Sequence, residues 1–438
     1  MSFTSIPILD LAQSRDPATK PQFLADLRHA LMEVGFLYLR NVGIPDELWR
    51  EVIREGKGFF DIPREEKLKI EMKNAPSFLG YSQLSAEITA GAVDHREQID
   101  LSTEHAVPGP EAPIWDNLLA PNQWPSAAVL PDFRRVYAEY MARMGAISIR
   151  FTSLIAEAIE LPADAFDRYF EADQRRQQHK LKIVKYPDVA ELGLGTGPGL
   201  DGEGEGEEGE APRGQGVGPH KDSMLTSYLL QASPHRGLQV QNMRGEWIDC
   251  PPVDGTLVVA IGQGLEALTG GVCRSTTHRV LSPPAGAGAR FSIPFFQGVR
   301  GSSTFAELEA VGVGDVPEAV RAQRRRVLEE ADTGGRRLDD VEFTFRSGGV
   351  AKTLGEATLW NRVKSHPDVG EKWYPDILRR IREQQAREAQ EKAQKAAGGE
   401  EEAEVEEAEV EEAEEKEKAA SSGQSEAVDV NRQAVTAH

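Results

Sequence analysis

Two histidines and one aspartate are spaced so that they could bind a single metal ion. His220 and Asp222 are two residues apart in GPHKDSMLTSYLL, at the start of a predicted strand, so we expect both side chains to leave the same face of a sheet. His278, in RSTTHRVLSP, lies on another predicted strand and could supply a third ligand. Two imidazoles and one carboxylate form the facial triad that binds iron(II) and leaves positions open for oxygen chemistry. The pattern therefore predicts a mononuclear iron site.

A second group of residues could bind a small carboxylic acid beside that ion. Arg290 and Ser292 are two residues apart on a predicted strand and therefore share one of its faces. The arginine offers a planar fork of donors that fits a carboxylate, and the serine adds a hydroxyl donor. Tyr186, in KIVKYP, could donate a hydrogen bond to another oxygen of the same acid. These three residues together predict a binding site for an organic acid.

The elements that must position these residues change character along the chain. Residues 1 to about 185 mix helical and strand patterns. An apolar stripe at helical spacing over 23–34 precedes a short apolar strand at 36–39, and a longer helical stripe covers 133–155. From about 180 to 297, short runs of β-forming residues are separated by Gly and Pro, which is typical of a sandwich or jelly roll.

These patterns predict a mixed α+β protein with three regions. Residues 1–125 form an N-terminal region of helices and strands. Residues 126–375 combine a long helix with the β-rich domain that carries the candidate site, and this domain contains a Gly- and Glu-rich insertion at 191–218 that is predicted to be disordered. Residues 376–438 begin as helix and become an acidic tail, predicted to be disordered from 385.

Charge and cysteine content restrict the class of protein. The formal net charge is −21, but most of the acidic excess lies in the insertion and the tail, so the rest has no basic patch for nucleic acid. The 2 cysteines, Cys250 and Cys273, argue against a disulfide framework and indicate a reducing compartment. No signal-peptide pattern and no apolar run of membrane-spanning length occurs. We therefore expect a cytoplasmic protein, a monomer, that binds neither nucleic acid nor membrane.

The order of the motifs resembles the isopenicillin N synthase-like branch of the 2-oxoglutarate- and iron(II)-dependent dioxygenases. The shared elements of the β-rich domain are YP, His-x-Asp, GLQV, HRV and Arg-x-Ser. IPILDL, GFLYLRNVGIP and FFDIPREEK precede them and LWNRVKSHPD follows, so the resemblance covers roughly residues 6–375. Two positions depart from it: Val184 stands where many members carry asparagine, and AIGQ at 260–263 replaces a frequent Asn-x-Gly-Asp turn. We expect that turn to lie outside the metal shell.

This resemblance implies a distorted double-stranded β-helix, or jelly roll, with flanking helices. It implies that the His-Asp-His triad holds Fe(II), that Arg290 and Ser292 bind the distal carboxylate of 2-oxoglutarate, and that Tyr186 also contacts this co-substrate. The reaction usual in the family consumes O2, releases succinate and CO2, and hydroxylates a small-molecule substrate. Substrate-binding candidates at the barrel mouth are Phe78, Tyr81, Gln98, Phe296, Arg362 and His366.

Two alternatives stay open on the sequence. Isopenicillin N synthase and aminocyclopropane-carboxylate oxidase share the fold and the Arg-x-Ser element but use it for other carboxylates. The chain could therefore be an Fe(II) oxidase that does not use 2-oxoglutarate. An inactive jelly-roll protein that binds a ligand or partner is the alternative from another class. No spacing rule encodes the substrate, because the pocket is built from scattered side chains.

Overall fold

The computed structural model describes residues 2–89, 92–194, 214–304, 307, 316–330, 351–387 and 390. Most of the predicted insertion, 195–213, and the acidic end of the tail, 391–438, lie outside the described residues. The chain divides into two compact units at residue 374. Of the second unit, 375–387 are helical. All features below belong to the first unit.

Helices and strands alternate in the N-terminal region, and strands dominate the second half. The strands are β1 (Ile8–Asp10), β2 (Phe36–Arg40), β3 (Gly80–Ser82), β4 (Ile88–Thr89), β5 (Ala92–Val93), β6 (Glu97–Ser102), β7 (Lys180–Tyr186), β8 (Gln215–His220), β9 (Thr226–Gln231), β10 (Leu238–Gln241), β11 (Trp247–Asp249), β12 (Thr256–Ile261), β13 (His278–Leu281) and β14 (Arg290–Phe296). The α-helices are α1 (Lys20–His29), α2 (Asp46–Asp61), α3 (Arg64–Lys69), α4 (Phe133–Ala158), α5 (Gln263–Leu268), α6 (Glu318–Glu330), α7 (Leu354–Ser365) and α8 (Pro367–Trp373). The expected mixed α+β class is confirmed.

Two sheets enclose the centre of the unit. The eight-stranded major sheet has the order β1-β2-β12-β9-β14-β7-β6-β3, and the four-stranded minor sheet has the order β11-β10-β13-β8. Neighbouring strands of both sheets run antiparallel, except that β1 pairs with β2 in parallel. Because side chains alternate between the faces of a strand, each sheet has one inner face that can line a cavity.

Helices α2 and α4 cover the outer face of the major sheet. The Phe151 ring on α4 lies 6.1 Å from the Tyr228 ring on β9, edge to face. A Cβ on Gly56 of α2 would lie 3.2 Å from Ile183 and 3.3 Å from Ile293, so the glycine lets α2 approach β7 and β14 closely. The predicted apolar stripe at 133–155 is thus the buried face of a helix packed on the sheet. No described helix is long and apolar enough to cross a membrane.

The predicted insertion is wrong at its C-terminal end. Residues 214–218 were expected to be disordered, but Gln215–His220 is β8, and Val217 is buried and pairs with Val280 of β13. Glycine serves close packing here, because a Cβ on Gly216 would lie 2.8 Å from the Tyr186 ring. A glycine that looks like part of a flexible linker in sequence is therefore a requirement of the fold.

Gly35 ends the helical stretch before β2, and we predict that replacing it will destabilise the protein. Its φ is +72°, and a Cβ would lie 2.4 Å from both the Arg274 carbonyl oxygen and Thr276 Oγ1. We expect Gly35→Ala to lower the free energy of unfolding by about 2 to 4 kcal/mol, measured by urea denaturation, from left-handed strain plus this overlap. Gly255→Ala is the control, since its φ is +68° but nothing lies within 4 Å. That variant should lose only about 1 kcal/mol; equal losses would contradict the steric argument.

Candidate active site

A cavity of about 480 Å³ lies between the inner faces of the two sheets. From β7 it is lined by Lys180, Lys182, Val184 and Tyr186, every second residue of the strand. The paired strand β14 also contributes every second residue, with Arg290 opposite Tyr186. Helix α7 and the minor sheet complete the wall. Because successive side chains of a strand point to opposite faces, only every second residue of β7 and β14 reaches the cavity.

The predicted triad residues converge on this cavity. His278 begins β13 and pairs in register with His220, the last residue of β8, so their ring centroids lie 4.2 Å apart. Asp222 Oδ1 lies 3.9 Å from His220 Nε2 and 3.8 Å from His278 Nε2. Each separation is below twice a metal–nitrogen bond of about 2.1 Å. One ligand atom from each residue can thus reach a common point.

Asp222 comes to the cluster by a different route from the one expected. We predicted that His220 and Asp222 would begin a strand and share its face, whereas His220 ends β8 and Asp222 lies in the following loop. Ser227 Oγ donates a hydrogen bond to Asp222 Oδ2, and the backbone N–H of Gln263 donates to the Asp222 carbonyl at 2.7 Å. The AIGQ turn therefore contacts the backbone of the loop that carries Asp222, and our expectation that it lies outside the metal shell stays a prediction.

Hydrogen bonds fix the orientation of both imidazoles. His220 Nδ1 lies 2.8 Å from the Gly218 carbonyl oxygen, and His278 Nδ1 lies 3.1 Å from that of Thr276. A carbonyl can only accept, so each Nδ1 carries the proton and each Nε2 lone pair is free to bind a metal. Burial and the neighbouring His278 lower the pKa of His220 to about 3, so this ring is neutral at physiological pH.

Arg290 places unused hydrogen-bond donors in the same cavity. Its side chain is 1% exposed, and Nη2 donates to Gln231 Oε1 at 3.3 Å. Nε and Nη1 have no hydrogen-bond partner within the described chain. The guanidinium carbon lies 5.0 Å from the Tyr186 ring centroid, and Ser292 lines the cavity one step further along β14. Burial lowers the pKa of Arg290. A buried guanidinium with free donors fits a carboxylate ligand.

The substrate-binding candidates divide into two groups. Phe296, Arg362 and His366 line the cavity, whereas Phe78, Tyr81 and Gln98 are not among its described lining residues. The structure brings none of these last three to the cavity surface.

Packing and hydrogen bonds explain the positions of that second group. The Phe78 ring stacks on Tyr374 with a centroid separation of 5.6 Å. The Tyr81 hydroxyl donates to Glu97 at 2.6 Å. Gln98 donates through its Nε2 to Glu87, a lining residue, at 2.7 Å. Phe78 and Tyr81 are therefore core residues, and Gln98 supports the wall from behind.

A buried ionic network lies at the end of the cavity lined by Glu87, Lys182 and His366, here called the outer end. It was not predicted from the sequence. Glu87 pairs with Arg96 and lies 3.6 Å from Lys182, and His366 Nε2 donates to its Oε1 at 2.7 Å. Burial raises the pKa of Glu87, but these three neighbours together hold it well below its usual value. The signal available in the sequence was DHREQID at 94–100, a charged stretch that runs into β6, where every residue is buried.

Comparisons with known proteins agree with this geometry. The family model described as "non-haem dioxygenase in morphine synthesis N-terminal" matches residues 6–127. The model of the 2OG-Fe(II) oxygenase superfamily matches residues 205–299. The chain is 65% identical over 390 residues to the 2-oxoglutarate-dependent dioxygenase frbJ of Dothideomycetidae sp. (strain 11243), covering 89% of this chain and 97% of the relative.

More distant relatives extend the comparison. A homoarginine-6-hydroxylase of Glycine max is 31% identical over 289 residues, covering 64% of this chain and 82% of the relative. The crystal structure of a full-length Neurospora crassa protein, in complex with alpha-KG and 5-formyluracil, superposes with a TM-score of 0.56. It is 22% identical, and the match covers 74% of this chain and 95% of the Neurospora chain. At that identity the structural match bears on the fold.

Arg290 should lower the stability of the ligand-free protein, because its charge is buried without a partner acid. We predict that Arg290→Met raises the free energy of unfolding of the ligand-free protein by about 1 to 3 kcal/mol, measured by urea denaturation. The control is Arg236→Met on an exposed ion pair with Asp249, which should change it by less than about 0.5 kcal/mol. A clear loss of stability in Arg290→Met alone would mean that the guanidinium supports the fold.

Proposed function

The chain belongs to the 2-oxoglutarate- and Fe(II)-dependent oxygenases, and we propose that it hydroxylates a small-molecule substrate, consuming O2 and 2-oxoglutarate and releasing succinate and CO2. One observation carries the proposal: the cluster of His220, Asp222 and His278 faces the same cavity as the unpaired donors of Arg290. A metal-binding cluster alone would fit many enzymes. Its combination with a buried carboxylate receptor fits a metal-bound organic acid.

In this proposal the three residues of the cluster are the Fe(II) ligands. The Nε2 atoms of His220 and His278 and Oδ1 of Asp222 face one another and carry lone pairs, because their other polar atoms bind neighbouring groups. Bound Fe(II) supplies the centre at which O2 and 2-oxoglutarate react. The protein holds the three ligands ready, so little side-chain rearrangement opposes metal binding.

Arg290 and Ser292 would bind the distal carboxylate of 2-oxoglutarate. Nε and Nη1 of Arg290 can form a charge-assisted pair with that carboxylate, and Tyr186 lies against the same guanidinium. Val184, also on the cavity wall, offers no hydrogen bond where many family members have asparagine. Co-substrate affinity in this chain should therefore depend strongly on Arg290.

The walls around the candidate ligands are largely apolar, so we expect the loaded site to hold little water. Apolar side chains line this part of the cavity: Phe36, Val217, Leu229, Leu238, Val258, Ala260 and Val280. A dry site strengthens charge-assisted hydrogen bonds and protects reactive species from side reactions. The two facing sheets would then be the distorted double-stranded β-helix that the motif order implies.

The alternatives left open by the sequence have less support. The 65% identity to a relative named a 2-oxoglutarate-dependent dioxygenase disfavours an oxidase that does not use 2-oxoglutarate. An inactive binding protein would not require three oriented metal ligands. The cytoplasmic, monomeric state stays a prediction. Because one relative is named a homoarginine-6-hydroxylase, L-homoarginine is a first compound to test as substrate.

Anaerobic titration with 2-oxoglutarate tests the proposed site. We expect the Fe(II)-loaded protein to develop the weak visible charge-transfer band of a bidentate 2-oxoacid, and His278→Ala to lack it because one metal ligand is lost. Arg290→Met should still bind iron but need about 100-fold more 2-oxoglutarate, the effect of losing a buried charged hydrogen bond. The exposed Arg236→Met should behave as wild type. Iron binding without any band would favour the oxidase alternative.

A further inference from the structure

Lys180 is a cation in the cavity wall that has no carboxylate partner within the described parts of the chain. It is the first residue of β7, lines the cavity and is partly buried. Its one hydrogen bond there runs from Nζ to the Leu118 carbonyl oxygen, at 2.8 Å. A carbonyl oxygen compensates only part of the cost of burying an ammonium group. The charge of the Lys180 ammonium group is therefore only partly compensated by the described residues.

The charged neighbours of Lys180 are already paired with one another. Three cations and three acids form these ion pairs: Arg96 with Glu87 and Asp94, Lys182 with Glu87 and Asp100, and Arg362 with Asp100. Lys180 is a fourth basic group, so these residues carry one positive charge in excess when Lys180 is protonated. Burial and the nearby Arg362 lower the pKa of Lys180 to about 7, with Asp100 acting in the opposite direction. A bound anion would restore the ammonium form.

The position of Lys180 relative to the triad suits a small ligand. Phe296 pairs with Lys180 on one side and with Ser227 on the other, so the three residues form a row across β7, β14 and β9. Adjacent strands lie about 4.8 Å apart, which puts the Lys180 backbone about 10 Å from that of Ser227. Ser227 binds Asp222 directly. One small molecule can therefore reach from Lys180 to the triad.

Lys180 and Arg290 are too far apart to bind the same carboxylate. Arg290 and Phe296 are the two ends of β14, and Phe296 is the partner of Lys180. A strand rises about 3.3 Å per residue, so the backbones of the two cations are separated by roughly 20 Å. The cavity thus has one of these two cations near each end of β14.

We propose that Lys180, with Arg362 beside it, binds a carboxylate of the substrate, so that the substrate is a small carboxylic acid such as a free amino acid. The inference rests on the proposed function, because it assigns the second end of the cavity to the molecule that is oxidised. One excess positive charge matches the single negative charge of a carboxylate. A phosphate monoester carries closer to two negative charges, and would leave the site unbalanced.

The test compares acids with the matching compounds that lack the carboxylate. The probes are the standard amino acids and L-homoarginine, each beside its decarboxylated amine, added to the Fe(II)- and 2-oxoglutarate-loaded protein. The readouts are succinate release and the change of the charge-transfer band on anaerobic addition. We expect at least one acid to stimulate succinate release and its amine to do so at least about 100-fold less efficiently in kcat/KM, as for loss of a buried charge pair.

Variants on β7 separate charge from structure. Lys180→Met should raise KM for the active acid about 100-fold with a smaller change in kcat, and Lys180→Arg should recover most of the loss. Lys185→Met is the matched control, because Lys185 lies on the same strand but faces outward and pairs with Glu191 at 2.9 Å. It should leave KM unchanged.

Three results would overturn the inference: an amine that works as well as its acid, an unchanged KM in Lys180→Met, or no stimulation by any acid. Each of these results is measured with protein that already shows the charge-transfer band with 2-oxoglutarate alone. Absence of that band in the wild type would instead refute the proposed function. A Lys180→Met variant that loses the band would also overturn the inference, because Lys180 would then be needed before any substrate is bound.

Discussion

The register between β8 and β13 is the constraint on which the rest of the site depends. It sets His220 opposite His278, at the edge of the minor sheet that faces the cavity. A slip of one residue would turn one imidazole to the other face of its strand, and the cluster would be lost. Close packing enforces this register from both sides: Gly216 admits the Tyr186 ring, and Gly35 admits the segment that leads into His278. Gly216 and Gly35 lie away from the metal-binding cluster, and the geometry of that cluster nevertheless requires both of them to be glycine.

The same cavity contains two cations whose burial should lower the stability of the ligand-free protein. Arg290 and Lys180 are cations drawn into the wall without partner acids in the described chain, whereas Arg96, Lys182 and Arg362 are paired. An unpaired buried charge is unfavourable, and it persists where a ligand completes it. In our proposal, the two unpaired cations at opposite ends of one strand pair bind the co-substrate at one end of the cavity and the substrate at the other. The metal-binding cluster is connected to the Lys180 end through Ser227, which lies in the same row as Lys180.

Local periodicity allowed much of this to be predicted from the sequence. The helical stripe of α4, the short β-forming runs over about 180–297 and the shared face of Arg290 and Ser292 all follow from the spacing of residues along one element. Errors arose where tertiary contacts decide. The Asp222 loop is held by Ser227 and by the turn at Gln263, and a strand pattern cannot show this. The Gly-rich sequence before His220 looked flexible because its packing partners lie elsewhere in the chain.

The ionic network shows the same limit more sharply. Glu87, Lys182 and His366 meet although they are far apart in sequence, so no spacing rule joins them. Phe78 and Tyr81 were chosen from family resemblance and lie in the core instead, because aromatic rings near a barrel mouth can pack either way. Residues on one element were predictable, whereas the outer end of the cavity depended on the assembled fold.

Anomalous diffraction from crystals grown anaerobically with Fe(II) and 2-oxoglutarate tests the central claim most directly. The account predicts one iron peak within bonding distance of His220 Nε2, Asp222 Oδ1 and His278 Nε2, with the distal carboxylate of 2-oxoglutarate on Arg290 and the Lys180 end free of it. An iron peak elsewhere, or 2-oxoglutarate bound with its distal carboxylate on Lys180, would contradict the assignment of the two ends.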